Sequence, residues 1–515
     1  MSSRLDRALE ALPHAYPGPG GAVAVLRDGE VLARGAWGWA NAELRIPFTP
    51  ASLFRICSNT KQFTCGLMLD AFPDPSVLDG DIRARLPKLE APAPSALQLA
   101  HNQSGLRDYW AVAMLHGAGA EQPFGDHEAA QVIAGSRTLQ FMPGTRYSYV
   151  NQNFRMIGDI LADRAGRSLA ELYRTRIFDR VGMASAILGA DTRALPDGAE
   201  GYEGTQATGF RPAVNRIIWT GDAGLAASLD DMIAWERHID ATRDDPDALY
   251  SRLAAPVSFA DGRLASYGFG LRRAVEFGRP VSCHGGALRG WRSHRLYMPS
   301  ERVSVVVLFN HLANAYAAAM DLLAALLDEE QPKPVAAETP PPWLGAYIEP
   351  ETGLSVRVEA QPEGVRLRFG HSPEDLAMQG DGAEIAGEVR LTPTPAGLAM
   401  DRVSENLSTV LQPLADGSGG DITGRYHCDE LDAGLTVTGG KGAYYGAFSG
   451  FLGAGRMELL NPVGADVWVL PCLRALDHTP PGDWTLAFHR DGAGAAPARA
   501  TVGCWLARGL TYVRL

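Results

Sequence analysis

The stretch Phe54-Arg-Ile-Cys-Ser58-Asn-Thr-Lys61-Gln-Phe63 constrains this chain more than any other. A serine and a lysine stand three residues apart at the head of an apolar run that includes Phe63, Leu67, Met68 and Leu69. That pattern predicts a helix, and on a helix residues i and i+3 share a face one turn apart. The lysine nitrogen can then reach the serine hydroxyl. A serine is a weak nucleophile until a base takes its proton, and an uncharged lysine amine is such a base. Composition sharpens the point. The chain holds 47 lysines and arginines, of which only Lys61, Lys88, Lys333 and Lys441 are lysines. Arginine stays protonated and cannot serve as a base. Bringing a lysine from ~10.4 to ~7 takes about 4–5 kcal/mol of differential interaction, which burial or nearby positive charge supplies.

At 515 residues the chain exceeds one ordinary core and implies about three domains. The net charge of −12 speaks against nucleic acid and anionic membranes as partners. No run of eighteen apolar residues occurs, so no membrane span is expected. The first residues, Met1-Ser-Ser-Arg-Leu-Asp-Arg-Ala-Leu-Glu, have helical spacing and acids rather than a signal peptide's apolar centre, and a cytoplasmic location is expected. Six cysteines (57, 65, 283, 428, 472 and 504) lack CxxC pairing and read as reduced thiols. No HExxH or clustered ligand set is present, so neither a metal nor another cofactor is expected.

Along the chain, residues 22–35 read as a hairpin about the Asp28-Gly29 turn. Residues 62–260 read as mainly helical, with segments at Tyr149–Asp163, Ser168–Asp179 and Leu229–His238. Strands return at 265–310. The run Arg302–Asn310 is nearly all apolar, which suits a buried strand, and a helix is expected at Ala315–Leu327. This pattern predicts a first domain, 1–330, with an antiparallel sheet flanked by helices and a helical subdomain. A proline-rich linker, 331–342, follows. Two segments beyond it look alike: Gly345-Ala-Tyr347 before Gly353-Leu-Ser-Val356, and Gly424-Arg-Tyr426 before Gly434-Leu-Thr-Val437. They predict two small antiparallel β-barrel domains, 343–414 and 415–515.

Three groups join Ser58 and Lys61 as site candidates. In Tyr149-Val-Asn151 a phenol can relay a proton between nucleophile and leaving group, and an amide can hold the lysine. The alternative is a packed tyrosine and a helix-capping asparagine. In His284-Gly285-Gly286 the imidazole is a donor, and the glycines let a substrate backbone approach closely. The alternative is a structural histidine. The amide of Ala287 can complete an oxyanion hole with the amide of Ser58.

In this order and combination, Ser58-x-x-Lys61, Tyr149-x-Asn151 and His284-Gly-Gly286 resemble the penicillin-recognising serine hydrolases: class C β-lactamases, DD-peptidases and related esterases. Leu99-Ala-His-Asn-Gln-Ser-Gly-Leu106, Phe141-x-Pro-Gly144, Val181-Gly-Met183 and Gly221-Asp-Ala-Gly-Leu225 extend the resemblance over about residues 1–330. Histidine in place of the family's commoner lysine at 284 resembles the members specific for D-amino acids and some esterases, rather than the β-lactamases. The β units, with Gly424-Arg-Tyr-His-Cys-Asp-Glu-Leu-Asp-Ala-Gly-Leu435, resemble those of the D-stereospecific aminopeptidase branch. The resemblance implies a metal-free homodimer. It would release N-terminal D-residues, D-alanine above all, from small peptides, amides and esters. It further implies a loop of the last domain, 473–484, that enters the active site with a specificity-setting aspartate. Asp477 is the matching position and Asp483 the rival; the alternative is a surface loop with solvated aspartates. An esterase or D-amino-acid amidase on the same fold, and a catalytically silent peptidoglycan-peptide binder, are the competing expectations.

Overall fold

The strand Val303–Phe309 is buried along its whole length and shows why the first unit folds as it does. Val305 and Val307 belong to one apolar core, while Val306 and Leu308 belong to another. A strand with apolar groups on both faces must be covered on both. In the computed structural model, which describes residues 3–330, 340–417, 419–441, 443–477, 481–492 and 494–515, it lies inside an antiparallel sheet of eight strands. Across the sheet the order is Tyr267–Gly268, Leu271–Glu276, Arg279–Leu288, Trp291–Met298, Val303–Phe309, Gly20–Arg27, Glu30–Asn41 and Ile46–Pro47. The two ends of this first unit therefore meet mid-sheet, with Val23 opposite Val307. Helices Arg4–Ala15 and Ala315–Leu327 pack over one face.

The other face carries the helix Thr60–Ala71, the helix Leu229–Thr242 and the helical subdomain inserted between the sheet's halves. Leu229–Thr242 starts where the Ser228 hydroxyl accepts from the Asp231 amide. It presents Glu236 to the sheet, where the carboxylate accepts from Nε and Nη2 of Arg295 at 2.8 and 2.6 Å. Both side chains of this pair are almost wholly buried. The segment expected as one helix from Ser168 is Leu169–Tyr173, a wider π-helical turn at Arg174–Phe178, and then Asp179–Val181. The helix expected from Tyr149 begins at Asn151, because Val150 is extended and leaves Tyr149 outside it.

Residues 331–339 of the expected linker lie outside the described residues. Beyond them, Gly345–Ile348 to Leu407–Pro413 close an eight-stranded barrel, in which the first strand pairs with the last. The second β unit follows the same circuit, with Gly424–Cys428 beside Ala507–Arg514. Among the described residues its ring stays open at one point, between Glu458–Leu459 and Asn461–Gly464. The two look-alike segments occupy equivalent first strands. In each, the tyrosine hydroxyl donates to the carbonyl four residues earlier, Tyr347 to Trp343 at 2.6 Å and Tyr426 to Ile422 at 2.9 Å.

The units interlock. Helix Tyr109–Leu115 of the first unit sends Ala111 and Leu115 into the core of the last. At a three-way junction the Glu405 carboxylate of the closed barrel accepts from Arg402, Trp505 and Arg508, and the Glu405 carbonyl accepts from the amide of Tyr147. No helix among the described residues is long and apolar enough to cross a membrane.

The Glu236–Arg295 pair yields a prediction. Glu236→Ala leaves a guanidinium buried without its counter-charge, and should cost about 3–5 kcal/mol. Thermal unfolding followed by circular dichroism checks it, with an unchanged midpoint as the contrary result.

Candidate active site

Ser58 sits in a tight 3-10 turn, Cys57–Asn59, between the short strand Phe54–Arg55 and the helix Thr60–Ala71. The turn is made by Cys57, whose φ of 52° lies in the left-handed region that non-glycine residues rarely occupy. Lys61, in the first turn of the helix, is fully buried. Its Nζ donates to Ser58 Oγ at 3.0 Å, Asn151 Oδ1 at 2.9 Å and the carbonyl of Asp222 at 2.7 Å. Burial lowers the Lys61 pKa to about 8, against the opposing pull of Asp222, Asp108 and Asp477.

Tyr149 donates to Ser58 Oγ at 2.8 Å. Burial holds its phenol well above its usual pKa, so the hydroxyl stays protonated. The Lys61 nitrogen lies 4.9 Å from the centre of the Tyr149 ring. Asn151 is held by a residue that sequence reasoning missed. The fully buried carboxylate of Asp108 accepts from both the backbone amide (2.7 Å) and the side-chain amide (3.0 Å) of Asn151. This fixes the orientation of the Asn151 amide, with its oxygen toward Lys61. Burial raises the Asp108 pKa to about 6 even though those hydrogen bonds favour its charge.

His284 lines the same cavity, but both of its ring nitrogens are engaged. Nδ1 meets the carbonyl of Gly285 at 2.5 Å and Nε2 meets the Tyr267 hydroxyl at 3.0 Å. A carbonyl only accepts, so Nδ1 carries the proton and Nε2 accepts from Tyr267. Burial, with the Lys61 charge adding to it, drops the imidazole to about 3, and it is neutral. Gly286 lets its strand lie against the serine turn: a Cβ there would stand 2.2 Å from Ser293 Oγ and 2.4 Å from the carbonyl of Ile56. Gly285 is different, since a Cβ there would come no closer than 3.6 Å to any atom.

The cavity over Ser58 measures about 530 Å³. All three units wall it. Tyr149, His284 and Ala287 come from the first, His371 from the closed barrel, and Asp477 and Trp505 from the last. Asp477 is buried there, while His478–Pro480 of the same loop lie outside the described residues. The rival aspartate goes elsewhere: Asp483 accepts from Arg357 on the closed barrel at 2.7 Å and does not line the cavity.

Other groups holding the site also escaped the sequence reading. Asp222 supplies a carbonyl to Lys61 while its carboxylate accepts from Tyr109 at 2.5 Å. Gly270, at φ +74°, lies so close that a Cβ would stand 2.4 Å from the carbonyl carbon of Lys61. Asp108 lies just past the Leu99–Leu106 segment and Asp222 inside Gly221–Leu225, so the motif echoes pointed to the neighbourhood. Nothing in the sequence singled out Gly270 or Tyr267.

Comparison with known proteins matches residues 5–329 to the family described as beta-lactamase, and residues 336–513 to that described as D-aminopeptidase, domain B. The chain is 58% identical to the D-aminopeptidase of Gluconobacter oxydans (strain 621H), over 100% of this chain and 99% of that one. It is 47% identical to the D-aminopeptidase of Cereibacter sphaeroides (strain ATCC 17029 / ATH 2.4.9), over 99% of each. Among solved structures, the octameric penicillin-binding protein homologue from Pyrococcus abyssi superimposes with a TM-score of 0.55 at 19% identity. It covers 79% of this chain and 99% of that one. The D-amino acid amidase from Ochrobactrum anthropi SV3 gives 0.50 at 19% identity, over 63% of this chain and 99% of that one. At these identities the likeness is one of fold.

The two glycines should separate on substitution. Gly286→Ala forces the strand off the backbone of Ile56, so it should lower the thermal midpoint and cut labelling of Ser58 by a fluorophosphonate. Gly285→Ala should keep wild-type stability. Equal midpoints for the two variants would contradict the packing described.

Proposed function

Because the chain belongs to the β-lactamase family and, along its whole length, to the D-aminopeptidases within it, we propose that it is a serine hydrolase that releases N-terminal D-residues from small peptides, amides and esters through an acyl-enzyme. The observation that carries this reading is the wholly buried Lys61 nitrogen, 3.0 Å from Ser58 Oγ, with its pKa lowered to about 8. Such an amine is uncharged in a useful fraction of molecules near neutral pH, and it is aimed at the one hydroxyl that needs a base.

Ser58 Oγ attacks the carbonyl of the N-terminal residue as its proton passes to Lys61. The negative charge that develops on the carbonyl oxygen is held by the backbone amides of Ser58 and Ala287. Tyr149, kept protonated by burial, hands its proton to the departing nitrogen and recovers one from the Lys61 side. Water then attacks the acyl-enzyme, and the same groups work in reverse. Asn151, braced by Asp108, keeps the lysine nitrogen on the serine side of its pocket. His284 shapes the wall beside Tyr149 as a neutral ring, with Gly285 and Gly286 letting the substrate backbone lie close.

An exopeptidase acting on an amino terminus must recognise an α-ammonium and refuse a longer chain. In this reading Asp477, which lines the cavity, supplies the carboxylate. The preference for D-residues rests on the relatives, not on a distance. The proposal includes a homodimer working in the cytoplasm. Sedimentation equilibrium tests the assembly, since the Pyrococcus abyssi homologue is octameric.

Three outcomes are expected. Only free lysine amine can accept the serine proton. The rate at which a neutral fluorophosphonate labels Ser58 should therefore rise with pH and level off above about pH 8. A rate independent of pH from 6 to 10 would contradict the assignment. Lys61→Arg keeps the charge without the base and should slow turnover by about 10²–10⁴-fold. Intact-mass spectrometry should show an acyl adduct on Ser58 with a D-alanyl amide and none with the L-enantiomer.

A further inference from the structure

One arginine outside the catalytic cluster joins the parts that shape the substrate's amino side. Arg289 stands between strands Arg279–Leu288 and Trp291–Met298, two residues after Ala287, and is 1% exposed. Its guanidinium donates to three carbonyls from three distant segments. Nη1 reaches Val214 at 2.8 Å, and Nη2 reaches Ala120 at 2.9 Å and Ala475 at 2.7 Å. Ala475 lies two residues before Asp477. The hairpin tip is itself pinned: Asn215 Nδ2 donates to the Arg289 carbonyl at 2.9 Å. A Cβ on Gly290, at φ +85°, would stand 2.6 Å from the carbonyl carbon of Gly201.

A planar guanidinium holds its donors in a fixed fork, and here two of its nitrogens bond carbonyls of three separate segments. The charge is balanced from one side by Glu203, whose carboxylate lies 3.7 Å from Arg289 Nε. Glu203 also takes Arg474 of the loop at 3.1 Å, and Arg474 reaches Glu121 at 3.0 Å. The loop is thus tied twice, by a buried clamp at Ala475 and by a half-exposed ion pair at Arg474. Arg292, from the same hairpin, lines the cavity and feels the charge of Asp477.

We propose that Arg289 is the positioning residue that holds the Asp477 turn over the active site, and so sets the enzyme's demand for a free α-ammonium. The inference rests on the reading of Asp477 given above. Arg289 is absent from the Ser58–Lys61–Tyr149 hydrogen-bond network. Its loss should therefore change which substrates are accepted more than how fast the serine reacts.

The test compares wild type with Arg289→Met, which keeps the bulk and removes the donors, and with Arg474→Gln, an exposed change that spares the fold. Kinetics on D-alanine p-nitroanilide and its N-acetyl derivative are joined to hydrogen–deuterium exchange of the peptide spanning 473–477. In Arg289→Met the KM for the free-amine substrate should rise at least about tenfold, the size expected for losing charged hydrogen bonds. The N-acetyl substrate should gain in kcat/KM. Fluorophosphonate labelling of Ser58 should hold within about twofold, and residues 473–477 should exchange faster. Arg474→Gln should move in the same direction by less, and it decides the matter if Arg289→Met fails to fold. An unchanged selectivity ratio with unchanged exchange overturns the proposal. So does a parallel fall in labelling and in both substrates, which would mark Arg289 as merely structural. Asp477→Asn separates the two readings. If that variant leaves the ratio at its wild-type value, the ammonium role of Asp477 fails, and the exchange measurement still judges the clamp.

Discussion

A single amine, taken wholly out of water, organises this molecule. Lys61 is surrounded by oxygen: a serine hydroxyl, an asparagine amide and a main-chain carbonyl, each between 2.7 and 3.0 Å from its nitrogen. Desolvation pushes the group toward its neutral form, while the carboxylates of Asp222, Asp108 and Asp477 pull it back. Neither side wins outright, and the pKa comes to rest at about 8. Full desolvation without those acids would leave an amine too weakly basic to hold the proton. An exposed lysine would keep its charge and could not accept one at all.

Two partners of that nitrogen are anchored from the head of one helix, Asn151 by Asp108 and Asp222 by Tyr109. Asn151 is locked by Asp108, which also caps helix Tyr109–Leu115 by accepting from the Trp110 amide. The Asp108 amide in turn donates to the carbonyl of Leu506, in the last β unit. The C-terminal unit therefore braces Lys61 through two side chains, besides supplying Trp505 and Asp477 to the cavity wall. The closed barrel joins through Glu405, where two arginines and an indole converge on one carboxylate. The β units are built into the site rather than hung from it.

How much of this was legible in the sequence follows from the range of each interaction. Ser58 and Lys61 are one helical turn apart, a local relation that spacing alone reveals. The strand Val303–Phe309 and the helix Ala315–Leu327 were readable because an unbroken apolar run and a periodic one have few other solutions. Tyr149 and Asn151 lie some ninety residues from Ser58 and Lys61, and only the family resemblance tied them together beforehand. Asp108 was not legible, because its role depends on where an asparagine amide 43 residues away comes to lie. Nor was the carbonyl of Asp222, since any residue has one. Two aspartates in one loop, 477 and 483, are equivalent as text. Packing distinguishes them, turning one into the cavity and pairing the other with Arg357. The open point in the second β circuit is hidden for a similar reason, because strand pairing is settled across the sheet rather than along the chain.

The scarcity of lysine makes the central claim open to direct measurement. Protein labelled with ¹³C at the lysine ε-carbon yields signals from just four residues, and the one missing from Lys61→Arg is that of Lys61. Its chemical shift followed against pH should titrate at about 8. A midpoint at the ordinary lysine value of about 10.4 would mean that the amine is charged whenever the serine must be activated, and would contradict the account.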